Sequence, residues 1–319
     1  MRIITDPTRL GPGKRAVAIG VFDGVHLGHQ KLLRAVVAEA STRGLESLAL
    51  TFEPHPLRIL RPGLEPLLLT DLKEKAELIA ALGVETLFIK SFDKGFAATP
   101  PAEFITRYLR DELGAVLVMV GFNFSFGAGG HGTPQFLLEH GRTAGLEVSI
   151  IPALRCGNVT VSSTAVRRAV AQGDVEQATN LLGRPYSIRG RVLHGDGRGA
   201  QLGFPTANLA APPDRVVPAN GVYVVGVTVE EVRRAGVANV GRRPTFGGGG
   251  RGIEVHLLDF EGDLYDREAK IVFLKRLRDE VAFSSAEALR RQIAWDVRQA
   301  REALANGSLE AFYNPRALC

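Results

Sequence analysis

Two histidines three residues apart, His26 and His29, stand in the run GVFDGVHLGHQ from Gly20 to Gln30. In the first turn of a helix, residues at this spacing project to one face. Gly28 between them carries no Cβ and lets an anion approach the backbone. A helix start also offers unpaired N–H groups and the positive end of the helix dipole, so the combination favours phosphate. Two other readings of the pair stand beside this one. The histidines could ligate a metal, although zinc takes four ligands and only Cys156 and Cys319 could add thiolate. They could also be ordinary surface residues.

A second run with chemical content is HGDGRGAQLGFPTANL, from His194 to Leu209. Gly195, Gly197, Gly199 and Gly203 would make a flap able to come close to phosphates, and Pro205 stiffens the chain that presents Thr206 and Asn208. Those two offer neutral oxygens on one side of an extended segment, adequate for magnesium when phosphates balance the remaining charge. A glycine-rich hairpin without a ligand is the plainer alternative.

The elements that would carry the first run alternate in type. Apolar segments at 17–20, 47–52, 86–90, 115–120 and 148–151 read as strands. The intervening segments read as helices. Their starts are Asp71 with Glu74 three residues on, Thr99 before Pro100 and Pro101, and Thr133 before Pro134, while Gly44 is placed to end the first helix. Such alternation predicts an α/β unit with a mostly parallel sheet covered on both faces, and in such sheets ligands bind beyond the carboxyl ends of the strands. The unusual local sequences all follow strands: FDGVHLGH, then EPHP (Glu53 to Pro56), SFDKGF, GFNFSFGAGGHGT and VSSTAVRR. Each has a plain explanation taken singly. His55 between prolines makes a rigid turn, Phe122, Phe124 and Phe126 could be core, and Ser162 could be a helix cap. Their shared position argues for one site.

After a short helix between Gly173 and Gly183, Arg184-Pro185 breaks the pattern and a boundary falls near Tyr186. Beyond it, strands at 188–193, 222–229, 236–240, 253–260 and 270–274 are close-set, with no helix between them, which predicts a small antiparallel barrel. One helix closes the chain, opened by Ser284 and Glu287 as a capping box and carrying Leu289, Ile293, Val297, Ala300 and Leu304 on one face, with Trp295 beside the barrel.

Composition bounds the function class. At 319 residues two domains are expected, and 45% hydrophobic with 23% charged content is that of a soluble globular protein. No apolar stretch approaches a membrane span, and the amino end lacks a signal-peptide core. Two cysteines, one of them terminal, offer no disulfide framework, so a cytoplasmic location is expected. The net charge of +5 divides as +2 over residues 1–184 and +3 over 185–319. With no basic arm or stripe, small polyanionic ligands suit this excess better than nucleic acid.

These motifs together resemble a known family. HLGH is similar to the HxGH signature of the nucleotidyltransferase superfamily, and FDGVHLGHQ with FEPHP, GFNFSFG and SSTAVR resembles the adenylyltransferase half of bacterial bifunctional riboflavin kinase/FAD synthetases. HGDGRGAQLGFPTANL, NVGRRPTF (239–246) and EVHLLDFEGDLY (254–265) resemble the riboflavin kinase half. The resemblance implies a Rossmann-like nucleotidyltransferase domain over residues 1–185 and an antiparallel barrel kinase with a carboxy-terminal helix over 186–319. It implies that His26 and His29 contact the phosphates of ATP, with Phe22, Asp23, Gly24 and Gly28 in the same turn and Ser162, Ser163, Thr164 and Arg167 as a second phosphate-binding segment. Pro54, His55, Asn123 and Phe124 are then placed at the flavin. In the barrel, Gly195, Gly199 and Gly203 meet phosphates, Phe204 meets flavin, Thr206 and Asn208 hold Mg2+, and Glu254 is the general base. Riboflavin, FMN and FAD are the implied substrates and products, ATP the co-substrate, and a monomer or weak homo-oligomer the implied assembly. Departures are Asn123 and Ser125 where family members carry Asp and Arg, Ala200 where Arg is usual, and Asp266 where Gly is common.

The chemistry divides accordingly. The phosphate of FMN is already an anion, so its attack on the α-phosphorus of ATP needs alignment and positive charge and no base. The ribityl hydroxyl of riboflavin must lose a proton, so the kinase needs a positioned carboxylate. A rival reading keeps only the first domain as an enzyme and makes the barrel a flavin-binding regulatory module. A third, a nucleotidyltransferase acting on a pantetheine or nicotinamide precursor, is disfavoured by the attached barrel.

Overall fold

The computed structural model describes residues 1–194, 199, 202–230, 232–242, 251–260 and 262–305. Their contacts divide the chain into two units, Met1–Ser163 and Thr164–Cys319. The first is built on β1 (Arg2–Ile4), β2 (Arg15–Ile19), β3 (Glu46–Glu53), β4 (Thr86–Ser91), β5 (Ala115–Gly121) and β6 (Glu147–Ile151). They pair in the order β1-β4-β3-β2-β5-β6, every neighbouring pair parallel. The connecting helices are α1 (Leu27–Arg43), α2 (Pro56–Leu60), α3 (Leu72–Ala81), α4 (Lys94–Ala97), α5 (Pro101–Glu103), which continues as π-helical turns over Phe104–Glu112, and α6 (Pro134–Thr143). A small hairpin of β7 (Arg155–Cys156) and β8 (Val159–Thr160) follows.

Strand β2 shows why the sheet is covered twice. Val17 and Ile19 pack into one core with Phe104, Ile105, Leu109 and Leu137. Ala16 and Ala18 point the other way, into a core with Leu33 and Val36 of α1 and Ile79 of α3. Alternate residues of an apolar strand therefore feed two separate layers of helix. The expected strands all form, with ends displaced by one or two residues, while β1, α2 and α4 are additions. Asp71 caps α3 through the Glu74 N–H at 2.6 Å, Thr133 caps α6 through the Phe136 N–H at 3.1 Å, and Gly44 closes α1 in the left-handed conformation, φ 63°. The expectation that Thr99 caps a helix is corrected. Its N–H closes the turn of α4 on the Phe96 carbonyl at 3.1 Å, and extended Pro100 takes the cap position of α5 with no side-chain bond.

The second unit opens with α7 (Ser163–Gln172), which starts on the last residue of the first unit, and α8 (Val175–Leu182), ended by left-handed Gly183. Then come β9 (Tyr186–Leu193), β10 (Ala207–Ala210), β11 (Gly221–Val229), β12 (Val232–Arg242), β13 (Arg251–Leu257) and β14 (Glu268–Arg278). These close into an antiparallel barrel in the order β10-β13-β12-β11-β14-β9, with β9 pairing back to β10. Along β11, Tyr223, Val225 and Val227 are buried, the last two with their cross-strand partners Phe273 and Ile271. Val222 and Val224, on the opposite face, pack beneath Ala300 and Leu304 at the end of α9 (Ala286–Ala303). The α9 cap is Ser285, bonded to the Ala288 N–H at 3.1 Å, and not Ser284, because two adjacent serines leave the start ambiguous by one residue. Trp295 is 51% exposed, with Arg298 over its ring, so it is not part of the helix face that docks. No described helix is long and apolar enough to cross a membrane.

Helix α9 is also tied electrostatically. The carboxylate of Asp296, 4% exposed, accepts from Nε and Nη2 of Arg278 at 2.9 and 2.7 Å and from Gln292 at 3.0 Å. Arg278 is half-buried, so losing Asp296 removes charge-assisted hydrogen bonds without stranding a buried charge. Asp296→Ala is expected to destabilise the barrel unit by about 2 kcal/mol, and a melting curve within experimental error of the parent would contradict this account of how α9 is held.

Candidate active sites

The first site is assembled from the turn between β2 and α1. Gly20 leaves room for the fully buried ring of Phe22, which a Cβ there would approach to 2.9 Å. Phe22 and Val25 adopt left-handed backbone, φ 52° and 39°, a strained conformation that the surroundings must hold. Asp23 does the holding. Its buried carboxylate accepts from the Leu69 and Thr70 N–H groups at 3.0 and 3.1 Å and from the Thr70 hydroxyl at 3.3 Å, while Thr70 Oγ1 accepts from the Gly24 N–H at 3.0 Å. Ser163 Oγ, on the last residue of the first unit, donates to the Asp23 carbonyl at 2.9 Å.

His26 is the N-cap of α1, and its Nδ1 accepts from the His29 N–H at 3.2 Å. With Nδ1 used as acceptor, a neutral ring carries its proton on Nε2, where it can donate to a phosphate oxygen. The two imidazoles stack at 3.6 Å between centroids with 16° between planes, and the edge of His29 meets Phe22 at 5.3 Å. The absent side chain of Gly28 is part of this geometry, since a Cβ there would lie 3.2 Å from two atoms of the His26 ring. Among the described residues, no group of three or more His, Cys, Asp and Glu side chains is arranged to hold a metal, so the metal-ligand reading of the pair gains no further donors.

The neighbouring loops reach the same sheet edge. Glu53-Pro54 is a cis peptide at the end of β3, and His55 caps α2 through the Leu57 N–H at 3.2 Å. Asn123 and Phe122 are exposed after β5, Phe124 stacks on Phe126 at 5.4 Å, and Phe126 alone of the three is core. Ser162 and Ser163 complete the edge, while Thr164 and Arg167 belong to the second unit. Sequence reasoning did not anticipate Thr70, whose partner Asp23 lies 47 residues away; nothing local marks it.

The second site lies on the barrel. Asn208 on β10 stands directly opposite Glu254 on β13, which stands opposite Asn239 on β12. The next position along the three strands is Leu209, Ile253 and Val240, each buried, so the polar row occupies the other face. Asn208 is 4% exposed and its Oδ1 has no hydrogen-bond partner among the described residues, which marks it as an oxygen available to a ligand. Two residues along β13, His256 Nδ1 meets the Pro205 carbonyl at 2.9 Å and its ring meets Phe204 edge-on at 5.3 Å. The Phe204 N–H bonds the Gly199 carbonyl at 2.8 Å, and a Cβ on Gly199 would fall 2.4 Å from the Phe204 carbonyl, so only glycine fits. Gly203 is left-handed at φ 84°. Thr206 is half-buried just before β10. Gly195, Gly197, Ala200 and residues 243–246 lie outside the described residues. Asn239 was noted only as part of a motif; cross-strand register is what sets it beside Glu254.

Two family models match this chain, FAD synthetase over residues 11–165 and riboflavin kinase over residues 182–304. The chain belongs to the bifunctional riboflavin kinase/FMN adenylyltransferase family. The bifunctional enzyme of this name from Escherichia coli K12 is 41% identical over 287 residues, covering 90% of this chain and 91% of that protein. Those from Pseudomonas fluorescens and Bacillus subtilis are 41% and 38% identical, covering 97% and 92% of their own lengths. A crystal structure described as a macrolide-efflux protein from Streptococcus pneumoniae superposes with a TM-score of 0.85 at 33% identity, covering 94% of this chain and 98% of that one. The family's two activities thus meet the two units in chain order.

The packing at Gly28 gives a test of the first site. Alanine is the better helix former by about 1 kcal/mol, yet its Cβ must displace the His26 ring. Gly28→Ala is expected to melt no lower than the parent while forming FAD from FMN about tenfold more slowly; an undiminished rate would show that the stacked position of His26 does not matter.

Proposed function

We propose a division of labour between the residues of this bifunctional riboflavin kinase/FMN adenylyltransferase. The adenylyltransferase occupies residues 1–185 and the kinase 186–319, with the boundary where β9 begins. In the barrel, Glu254 takes the proton of the terminal ribityl hydroxyl as that oxygen attacks the γ-phosphorus of ATP; the bond to the β-phosphate breaks, leaving FMN and ADP. The observation that carries this reading is the cross-strand register that sets Asn208 beside Glu254. Magnesium fits there: Asn208 and Thr206 would supply neutral oxygens, and the ion would offset charge on the phosphates. The described end of the glycine-rich segment, held to His256 through Phe204 and Pro205, supports a role in covering bound substrate.

In the adenylyltransferase, the phosphate of FMN attacks the α-phosphorus of ATP and pyrophosphate leaves. His26 and His29, with the amides at the start of α1, stabilise the charge that spreads over the phosphate oxygens, and Gly24 and Gly28 let it approach. Ser162, Ser163, Thr164 and Arg167 serve as a second phosphate segment. Pro54, His55, Asn123 and Phe124 line the flavin side, Asn123 without the charge that an aspartate would bring. The enzyme works in the cytoplasm as a monomer or weak homo-oligomer on small molecules, with nucleic acid no part of its function.

Incubation with riboflavin, ATP and magnesium is expected to yield FMN and then FAD by chromatography of the flavins. Riboflavin returned unchanged while supplied FMN becomes FAD would favour a regulatory barrel. Glu254→Gln is expected to cut FMN formation by roughly 10²- to 10⁴-fold with FAD formation from supplied FMN intact. Loss of both activities would point to misfolding instead. His26→Ala or His29→Ala is expected to slow FAD formation about 10²- to 10³-fold in a folded protein that still makes FMN. With magnesium supplied, a zinc-selective chelator is expected to have no effect, and inactivation reversed by zinc would overturn the phosphate role.

A further inference from the structure

The two oxygens offered to a cation on the barrel are held in unequal ways. Asn208 is fixed by main-chain ladders on both sides, opposite Glu254 on β13 and opposite Leu193 on β9. Both ladders stop short of Thr206, at Ala207 on one side and Asn208 on the other, and the residue before it is Pro205, which has no N–H to extend them. Carried one step further, the register of β10 against β13 sets Thr206 opposite His256. Side chains alternate along a strand, so both residues fall on the face that carries Asn208 and Glu254. Nδ1 of His256 lies 2.9 Å from the Pro205 carbonyl oxygen; a carbonyl only accepts, so Nδ1 carries the proton and donates. The same ring meets Phe204 edge-on at 5.3 Å, with 87° between planes. From the other direction, the Phe204 N–H bonds the Gly199 carbonyl at 2.8 Å, and a Cβ on Gly199 would lie 3.1 Å from Oγ1 and Cγ2 of Thr206. The Gly199 bond closes this turn on itself, whereas the His256 bond ties it to the barrel wall.

We propose that His256 is a positioning residue for the kinase, its imidazole holding the Pro205 carbonyl so that the Thr206 hydroxyl stands beside Asn208 where a divalent cation can take both oxygens. The proposal rests on the magnesium role of Thr206 and Asn208. Two readouts test it: the magnesium concentration that half-saturates FMN formation, and hydrogen exchange at the Phe204 amide in the unliganded protein. His256→Phe keeps a ring against Phe204 but loses the donor, while His256→Asn sets an amide N–H where Nδ1 stands. His256→Phe is expected to need about five- to tenfold more magnesium, the worth of one hydrogen bond, with kcat at saturating magnesium within about twofold of the parent. Its Phe204 amide is expected to exchange about fivefold faster. His256→Asn is expected to restore both readouts. The magnesium dependence of FAD formation from supplied FMN, measured on the same proteins, is expected not to move. A His256→Phe protein with the parent's magnesium requirement, or one that loses kcat alone, would overturn the proposal, as would a His256→Asn protein impaired as much as His256→Phe. If His256→Phe melts too low to assay, His256→Gln carries the test, because its amide nitrogen falls where Nε2 stands; a His256→Gln protein equal to His256→Asn would overturn it. An unchanged magnesium requirement in Thr206→Val would instead bring down the magnesium reading itself, whatever the His256 variants do.

Discussion

The carboxylate of Asp23, set against the backbone amides of Leu69 and Thr70, is the tie on which the adenylyltransferase site depends. The turn it holds contains two non-glycine residues in left-handed backbone, Phe22 and Val25, and such residues persist only where the surroundings over-determine them. The buried ring of Phe22 and the bond from the Gly24 N–H to Thr70 Oγ1 supply the rest of the constraint. Given that turn, α1 starts where it does, His26 becomes its cap, and the imidazoles stack. A site that works by presenting donors to a charged transition state needs this rigidity, because donors that must first reorganise stabilise less.

The barrel meets a different demand. As proposed, its reaction uses a base, and a carboxylate has to stand close to an oxygen that could hold a metal. Antiparallel register meets this by placing Asn208, Glu254 and Asn239 in one row across three strands while their neighbours fill the core. Rigidity here comes from hydrogen bonds across the ladder and from the packing of α9, secured by Asp296 and Arg278. The two units thus use the two devices by which folds make precise sites: a strained turn at the edge of a parallel sheet, and a cross-strand row on a closed barrel.

Much of this was legible in the chain. Strand and helix alternation, the caps at Asp71 and Thr133, and the glycines at positions 44 and 183 follow from local chemistry, since periodicity and capping depend on residues a few positions apart. So does the pairing of His26 with His29, which lie within one helical turn. The misses are of one kind. The cap of α5 falls on Pro100 because a preceding turn already engages Thr99, and that of α9 on Ser285 because two adjacent serines compete. Strand β10, four residues long, is too short to read as a strand until its partners are known.

The sequence by itself therefore determined the fold class of each unit and the edge of the sheet that its unusual loops follow, since each of these is set by the type and spacing of near neighbours. Tertiary structure alone decided what crosses long stretches of chain. It set Thr70 against Asp23, Asn239 beside Glu254 and Phe204 on His256. The physical reason is that a buried charge or an unpaired oxygen is costly or useful according to what surrounds it, and its surroundings come from elements that only folding brings together.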